Sequence, residues 1–259
     1  MGRFNEFVKS AVLSFPSLPL FHTCEGYDFR GIVESKQLHT TPCKVFNGEN
    51  LLYLFYGRPS YRVEDISKGD KRKATKLPFF FPVCIMVKPD SVPTPKRIAP
   101  FDTGAFKGKL FAEYMHPRMD CNDFLLDPTL DMPNRLVSRY YASNQSYFNG
   151  EPLKIEIPPI EFEAISYYNL INSNASAPYD DRNATVEIQS ESNLVLDPDT
   201  VVLIVMPTSY WQDPEFGKAI RTAWHAEVRT YSIVRAHPNE YTQVIYREVE
   251  EYLKEKNYL

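Results

Sequence analysis

The residues in this chain best suited to chemistry are a histidine, several tyrosines and one carboxylate, far apart in sequence. His22 and Thr23 stand at the end of a short apolar run, Phe15 to Phe21, as polar groups stand at the rim of a sheet. Tyr53 and Tyr56 lie within Leu51 to Tyr56, a run rich in leucine and aromatics that reads as a strand, and Tyr61 lies just beyond it. From Ala184 to Gln189 the residues alternate, so that Thr185, Glu187 and Gln189 share one strand face and Ala184, Val186 and Ile188 the other. A carboxylate and a carboxamide therefore project side by side from a strand with an apolar reverse, and Glu187 is expected to face solvent. A fixed anion in such a position lowers the barrier to a step that develops positive charge, through preorganised electrostatics and with no covalent partner.

Other constellations point elsewhere. His22, Cys24, His39 and Cys43 supply four nitrogen and sulfur ligands in a compact interval, enough for a structural zinc, although neither pair has the usual knuckle spacing. His116, Asp120 and Cys121 have no recognised metal spacing. Asp102-Thr103-Gly104 matches the aspartic-protease signature, but that chemistry needs two facing copies and this chain carries one. Asp102 is therefore expected to serve as a turn or capping residue. The run Lys68 to Lys76 sets five basic residues around Asp70. It reads either as a solvated loop or as a basic rim for the phosphates of a dinucleotide or a nucleic acid.

The elements that must position these groups follow from pattern and punctuation. Phe29, Ile32, Val33 and Leu38 recur at helical spacing after Thr23, and Asn47-Gly48 marks a turn before the Leu51 to Tyr56 strand. Gly57-Arg58-Pro59 breaks that strand, and the proline can open a helix carrying Tyr61 and Arg62. Phe79 to Lys88 and Thr200 to Met206 read as buried strands. Residues 1 to 14 read as a short amphipathic helix with Phe4, Phe7, Val8 and Val12 on one side. Helical patterns appear in 106–116 and 134–142, a loop in 143–153, an irregular edge segment from Leu153 to Ile165, and turn-rich polar sequence in 166–183. Asp213-Pro214 can start a helix through Trp224, His225 to Val234 has strand character, and Pro238 to Tyr258 reads as a terminal helix.

With 259 residues, 43% hydrophobic and 24% charged, the chain can bury a substantial core. Its net charge of -4 argues against a general nucleic-acid coat while leaving room for a local basic groove. Aromatics at 14% and 21 prolines suggest many strands and loops, with surfaces on which planar ligands stack. No stretch approaches a membrane span and the N-terminal residues lack a secretory pattern, so the expectation is a cytoplasmic protein with four reduced cysteines. With neither repeat nor clear linker, residues 1–259 are expected to form one domain with insertions between about 63 and 180.

The order of strand with His-Thr, helix, turn and strand with tyrosine resembles the opening of the NAD-dependent ADP-ribosyltransferases, the superfamily that includes diphtheria-toxin-like, poly(ADP-ribose) polymerase-like and DNA-modifying toxin enzymes. The stretch around Glu187, followed by a loop and another apolar strand, is similar to the block that carries the superfamily's catalytic glutamate. The resemblance implies an α+β fold with a split β-sheet core, flanking helices and long loops. It implies that His22, with Thr23, and Tyr53 hold NAD, with Tyr56 and Tyr61 as competing tyrosines. Glu187 would promote loss of nicotinamide. Some branches place a Glu or Gln two residues before the catalytic glutamate, whereas here Glu187 comes first and Gln189 second. Arg30, Arg58 and Arg62 are candidates for the pyrophosphate, and Glu191, Glu161 and Glu163 are weaker candidates for the carboxylate. The implied activity is transfer of ADP-ribose from NAD to a nucleic acid or protein, as in a toxin or antiviral defence effector with a possible antitoxin or inhibitor partner. An NAD glycohydrolase, a non-catalytic nucleotide-binding module and a small zinc-stabilised binding protein are the alternatives.

Overall fold

The computed structural model describes residues 2–60, 75–92, 94–173 and 181–259. Helix α1 (Arg3–Lys9) buries Phe4 and Val8 and stops at Lys9, so Val12, expected on the same face, is 77% exposed. Strand β1 (Leu20–Glu25) begins where the apolar run ends, which places His22 and Thr23 inside it and not at its rim. Helix α2 (Gly26–Ser35) buries Phe29, Ile32 and Val33 and ends where Lys36 turns left-handed at φ 54°. Gly26 suits its start, because a Cβ there would run into the Tyr210 hydroxyl and press on the Pro78 carbonyl oxygen. Leu38 belongs to the short β2 (Gln37–Leu38), not to the helix. The expected turn, with Gly48 at φ +84°, separates β3 (Thr41–Pro42) from β4 (Asn50–Tyr56).

Strand β5 (Pro82–Val87) is buried along its whole length, as its unbroken apolar run requires. Then come β6 (Arg97–Ala99), α3 (Thr103–Lys107) and α4 (Met132–Tyr140). The helical pattern of 106–116 does not become a long helix; α3 closes at Lys107 and turns follow. Two helices replace expected loops. The first, α5 (Asn144–Asn149), is capped by the Ser143 side chain, which accepts from Ser146 N, and closed by Gly150 at φ +72°. The second, α6 (Phe162–Ile171), buries Ala164, Tyr167, Leu170 and Ile171. Elements β7 (Glu187–Ser190), β8 (Leu194–Val195), β9 (Val201–Pro207), α7 (Thr208–Gln212), α8 (Phe216–Ala223), β10 (Glu227–Tyr231) and α9 (Thr242–Glu255) complete the chain.

Among the described residues, eight strands form one mixed sheet in the order β10-β9-β5-β1-β4-β7-β6, with β3 also beside β4, and β2 pairs with β8 in a separate two-stranded sheet. β10 and β9 run parallel and the other neighbours antiparallel. One face carries Leu20, Leu54, Ile85, Ile188 and Ile204 into a core with Phe4, Phe29, Leu136 and Tyr167. On the other, Phe21, Cys84, Met86, Leu203 and Val205 pack against Ile245, Val249 and Leu253 of α9. The sheet is split. β1 meets β4 at Leu20↔Tyr56 and Phe21↔Phe55. Beyond that point β1 continues with β5 as far as Glu25↔Pro82, while β4 continues with β7 as far as Leu52↔Ser190. The expected α+β architecture, with a split sheet and flanking helices, is thus what the chain adopts. No helix among the described residues is long and apolar enough to cross a membrane.

Candidate active site at the split of the sheet

His22 is the first residue of β1 beyond the split, and its ring bridges the gap: Nδ1 lies 3.2 Å from the carbonyl oxygen of Tyr53. A carbonyl only accepts, so this contact puts a proton on Nδ1 and leaves Nε2 as the acceptor of a neutral ring. Burial pushes the His22 pKa down, opposed by the Tyr53 carbonyl and by Asp28. The imidazole is therefore neutral at pH 7. Strand alternation puts His22 on the face of Leu20 and Leu54 and sends Thr23 to the opposite one, the face of Phe21 and Phe55, where it stands across from Cys84. His22 and Thr23 cannot both face one ligand from the same side of the strand.

On the other bank, Tyr53↔Gln189↔Arg97 form one cross-strand row and Phe55↔Glu187↔Ala99 the next. These residues share a face, while Leu54, Ile188 and Ile98 behind them fill the core. Tyr53 and Phe55 are half-buried. The Tyr53 hydroxyl donates to Cys43 Sγ at 2.8 Å, and Cys43 also accepts from the backbone N–H groups of Val45 and Phe46. Burial and the Cys43 contact raise the Tyr53 pKa, with the charge of Glu187 a further cause. Tyr53 is thus a neutral phenol within electrostatic reach of Glu187.

Glu187 is not exposed, contrary to the expectation from alternation; it is 2% exposed beneath the segment that follows β6. Thr103 donates through Oγ1 to Glu187 Oε1 at 2.8 Å and through its backbone N–H to Oε2 at 3.2 Å. Gln189 Nε2 donates to Glu187 Oε1 at 2.6 Å and to Thr103 Oγ1 at 3.2 Å. The amide is fixed in turn by Arg97, whose Nη1 donates to Gln189 Oε1 at 3.2 Å. Arg97 lies over the Phe46 ring, 3.9 Å from its centroid, and makes a bidentate pair with Glu49 at 2.6 and 2.7 Å. That pair, helped by Lys96, holds the Glu49 carboxyl down at about 2. Burial, and then the neighbouring Asp102, push Glu187 up to about 8 although its hydrogen-bond donors pull the other way.

Several sequence candidates lie elsewhere. Tyr56 is a core residue whose oxygen accepts from Leu18 N at 2.9 Å, so it offers no stacking face. Arg58 is 2% exposed, with its guanidinium 4.4 Å from the Tyr147 ring centroid and 3.9 Å from Asp181, and is unavailable to a pyrophosphate. Arg30 is exposed on α2 over the Tyr27 ring. Tyr61, Arg62 and the basic residues Lys68 to Lys73 lie outside the described residues. Glu161 pairs with Arg3, and Glu191 is an exposed partner of Lys96. The four zinc candidates do not converge: His22 faces the Tyr53 carbonyl, Cys24 is buried in the core, His39 faces the Ser35 hydroxyl and Cys43 the Tyr53 hydroxyl. Among the described residues, no group of three or more His, Cys, Asp or Glu is arranged to hold a metal. Asp102 does act as a cap, with Oδ1 accepting from Ala105 N at 2.6 Å. Its neighbour Thr103 and the Arg97–Glu49 pair are the parts of the site that pattern alone did not reveal. A cleft of about 280 Å³ borders Arg97, lined by Lys96, Asn122 and Leu126 among others and not by His22, Tyr53 or Glu187.

No family model matches the chain, and no curated protein does. Among solved structures, DarT of Thermus sp. 2.9 in complex with NAD+ is similar over 84% of this chain and 98% of its own, at 9% sequence identity and a TM-score of 0.42. At that distance the likeness assigns neither residues nor substrate.

Proposed function

We propose that the chain binds NAD at the split between β1 and β4, cleaves its nicotinamide–ribose bond and passes ADP-ribose to a macromolecular acceptor. The observation that carries this reading is local. An imidazole, a phenol ring and a carboxyl–carboxamide pair occupy β1, β4 and β7, neighbouring strands at the split of the sheet, with the imidazole reaching from the opposite face into the gap beside the Tyr53 carbonyl. His22 Nε2 and the Tyr53 ring would hold the dinucleotide, the ring by stacking on nicotinamide. Glu187, ionised, would stabilise the oxocarbenium-like ribose as nicotinamide leaves. Because its carboxyl is covered in the present conformation, turnover requires it to turn towards the ribose or the covering segment that carries Thr103 to shift. Ionisation is then rate-determining in pH: kcat/KM rises with pH and is half-maximal near 8, the value to which burial and Asp102 bring Glu187.

The same burial favours a second reading, a pocket that binds the nucleotide without breaking it. Incubating purified protein with NAD, alone and with DNA, RNA or cell extract, and measuring free nicotinamide separates the two. Release favours the enzyme, and acceptor dependence names the acceptor class. Saturable NAD binding without release at any pH from 6 to about 9.5 favours the binding module.

A further inference from the structure

Both oxygens of the Glu187 carboxyl are engaged by a single residue that comes from another part of the chain, Thr103, which itself is fully buried. It enters the site because Asp102 caps the short α3 and Asp102 N donates to Arg182 O at 2.9 Å, which fixes the segment over β7. We propose that Thr103 is a positioning residue for Glu187, holding the carboxyl against the Gln189 amide and determining when it can serve the reaction. The inference rests on the reading of Glu187 as the catalytic carboxylate, and adds to it the group that controls that carboxylate.

The hydroxyl of Thr103 donates, and a donor stabilises the charged form of a carboxyl. The other groups facing Glu187 are Asp102 from the cap of α3, Tyr53 from β4, the Cys121 thiol, and Arg97 from β6 acting through the Gln189 amide. Asp102 and burial oppose ionisation, while Thr103 and Gln189 favour it. Removing one hydroxyl from a carboxyl held in that balance should move its titration by about one to two pH units.

The test does not need turnover. Protein carrying ¹³C-labelled glutamate is titrated by NMR, with the Glu187 signal assigned by its loss in Glu187→Gln. Thr103→Val, which keeps the shape and the backbone donor, should move the Glu187 midpoint upward by about one to two pH units, and Thr103→Ser should leave it in place. Should Thr103→Val not fold, Thr103→Ala takes its part in the same titration. An unchanged midpoint in the variant lacking the hydroxyl, or an equal shift in Thr103→Ser, would overturn the proposal. The kcat/KM profile for nicotinamide release is then recorded. A shift in the NMR midpoint matched by the same shift in the profile supports both the positioning role and the NAD reading. A shift in the NMR midpoint with no nicotinamide released at any pH leaves the positioning of Glu187 standing and removes its catalytic purpose.

Discussion

The two halves of the sheet are built to different rules. In the half formed by β5 and β9, flanked by β1 and β10, side chains on both faces go into cores: Ile85 and Ile204 into one, Met86, Leu203 and Val205 into the other. In the half formed by β4, β7 and β6, one face is equally apolar, with Leu54, Ile188 and Ile98, and the other carries Tyr53, Gln189, Glu187 and Arg97. Buried polar groups are costly unless each is hydrogen-bonded, and here they are chained from Glu49 through Arg97 and Gln189 to Glu187 and Thr103. The first half supplies the stability that lets the second retain a carboxyl where the solvent would not choose to leave it.

Glu187→Gln should separate the halves most strongly. Nicotinamide release is expected to fall by about 10²- to 10³-fold. The fold should survive, since the amide oxygen keeps the Thr103 and Gln189 donors and only the Thr103 N–H contact is lost. Stability should respond to pH with a definite sign. The folded carboxyl keeps its proton up to about 8 whereas the unfolded one loses it near 4.5, so the folded state binds the extra proton between those values. Wild-type stability from this group therefore falls as pH rises through that window, and the variant lacks the fall. The difference between them grows to at most about 5 kcal/mol, measured by urea unfolding from pH 4.5 to about 9.

Ile204→Ala, in the apolar half, should cost about 2 to 5 kcal/mol of unfolding free energy and leave the Glu187 titration where it was. A moved titration would mean that the halves are mechanically coupled. Arg97→Ala should release Glu49 from about 2 towards the ordinary carboxylate range, seen in an NMR titration, and loosen the Gln189 amide. Tyr53→Phe removes only the bond to Cys43, about 1 kcal/mol by denaturant unfolding. It should leave nicotinamide release within a few-fold, whereas Tyr53→Ala, which removes the stacking face, should not.

The apolar half was legible because its evidence is local: unbroken runs at 82–87 and 201–206, short, rich in Val and Ile and bounded by proline, favour a buried strand over a buried helix. The alternation of 184–189 likewise brought Glu187 and Gln189 together, and they are 2.6 Å apart. What alternation could not supply was the cover. Thr103 reaches Glu187 across 84 residues of chain, so the face read as open to solvent is closed by a segment whose own sequence announces only a cap. Arg97 was hidden for a different reason, since a three-residue strand is too short to display a period. Helices α5 and α6 escaped because Ser, Asn and Gln in one and apolar residues scattered beyond a single stripe in the other mask the helical repeat, and tertiary burial of Tyr147, Phe148, Tyr167 and Leu170 decides the outcome.

The most direct test is a crystal structure of the Glu187→Gln variant grown with NAD. The account predicts the dinucleotide in the split between β1 and β4, nicotinamide stacked on the Tyr53 ring, His22 Nε2 hydrogen-bonded to the ligand and the scissile bond beside residue 187. NAD bound away from the split, or none bound at saturating concentration, would contradict it.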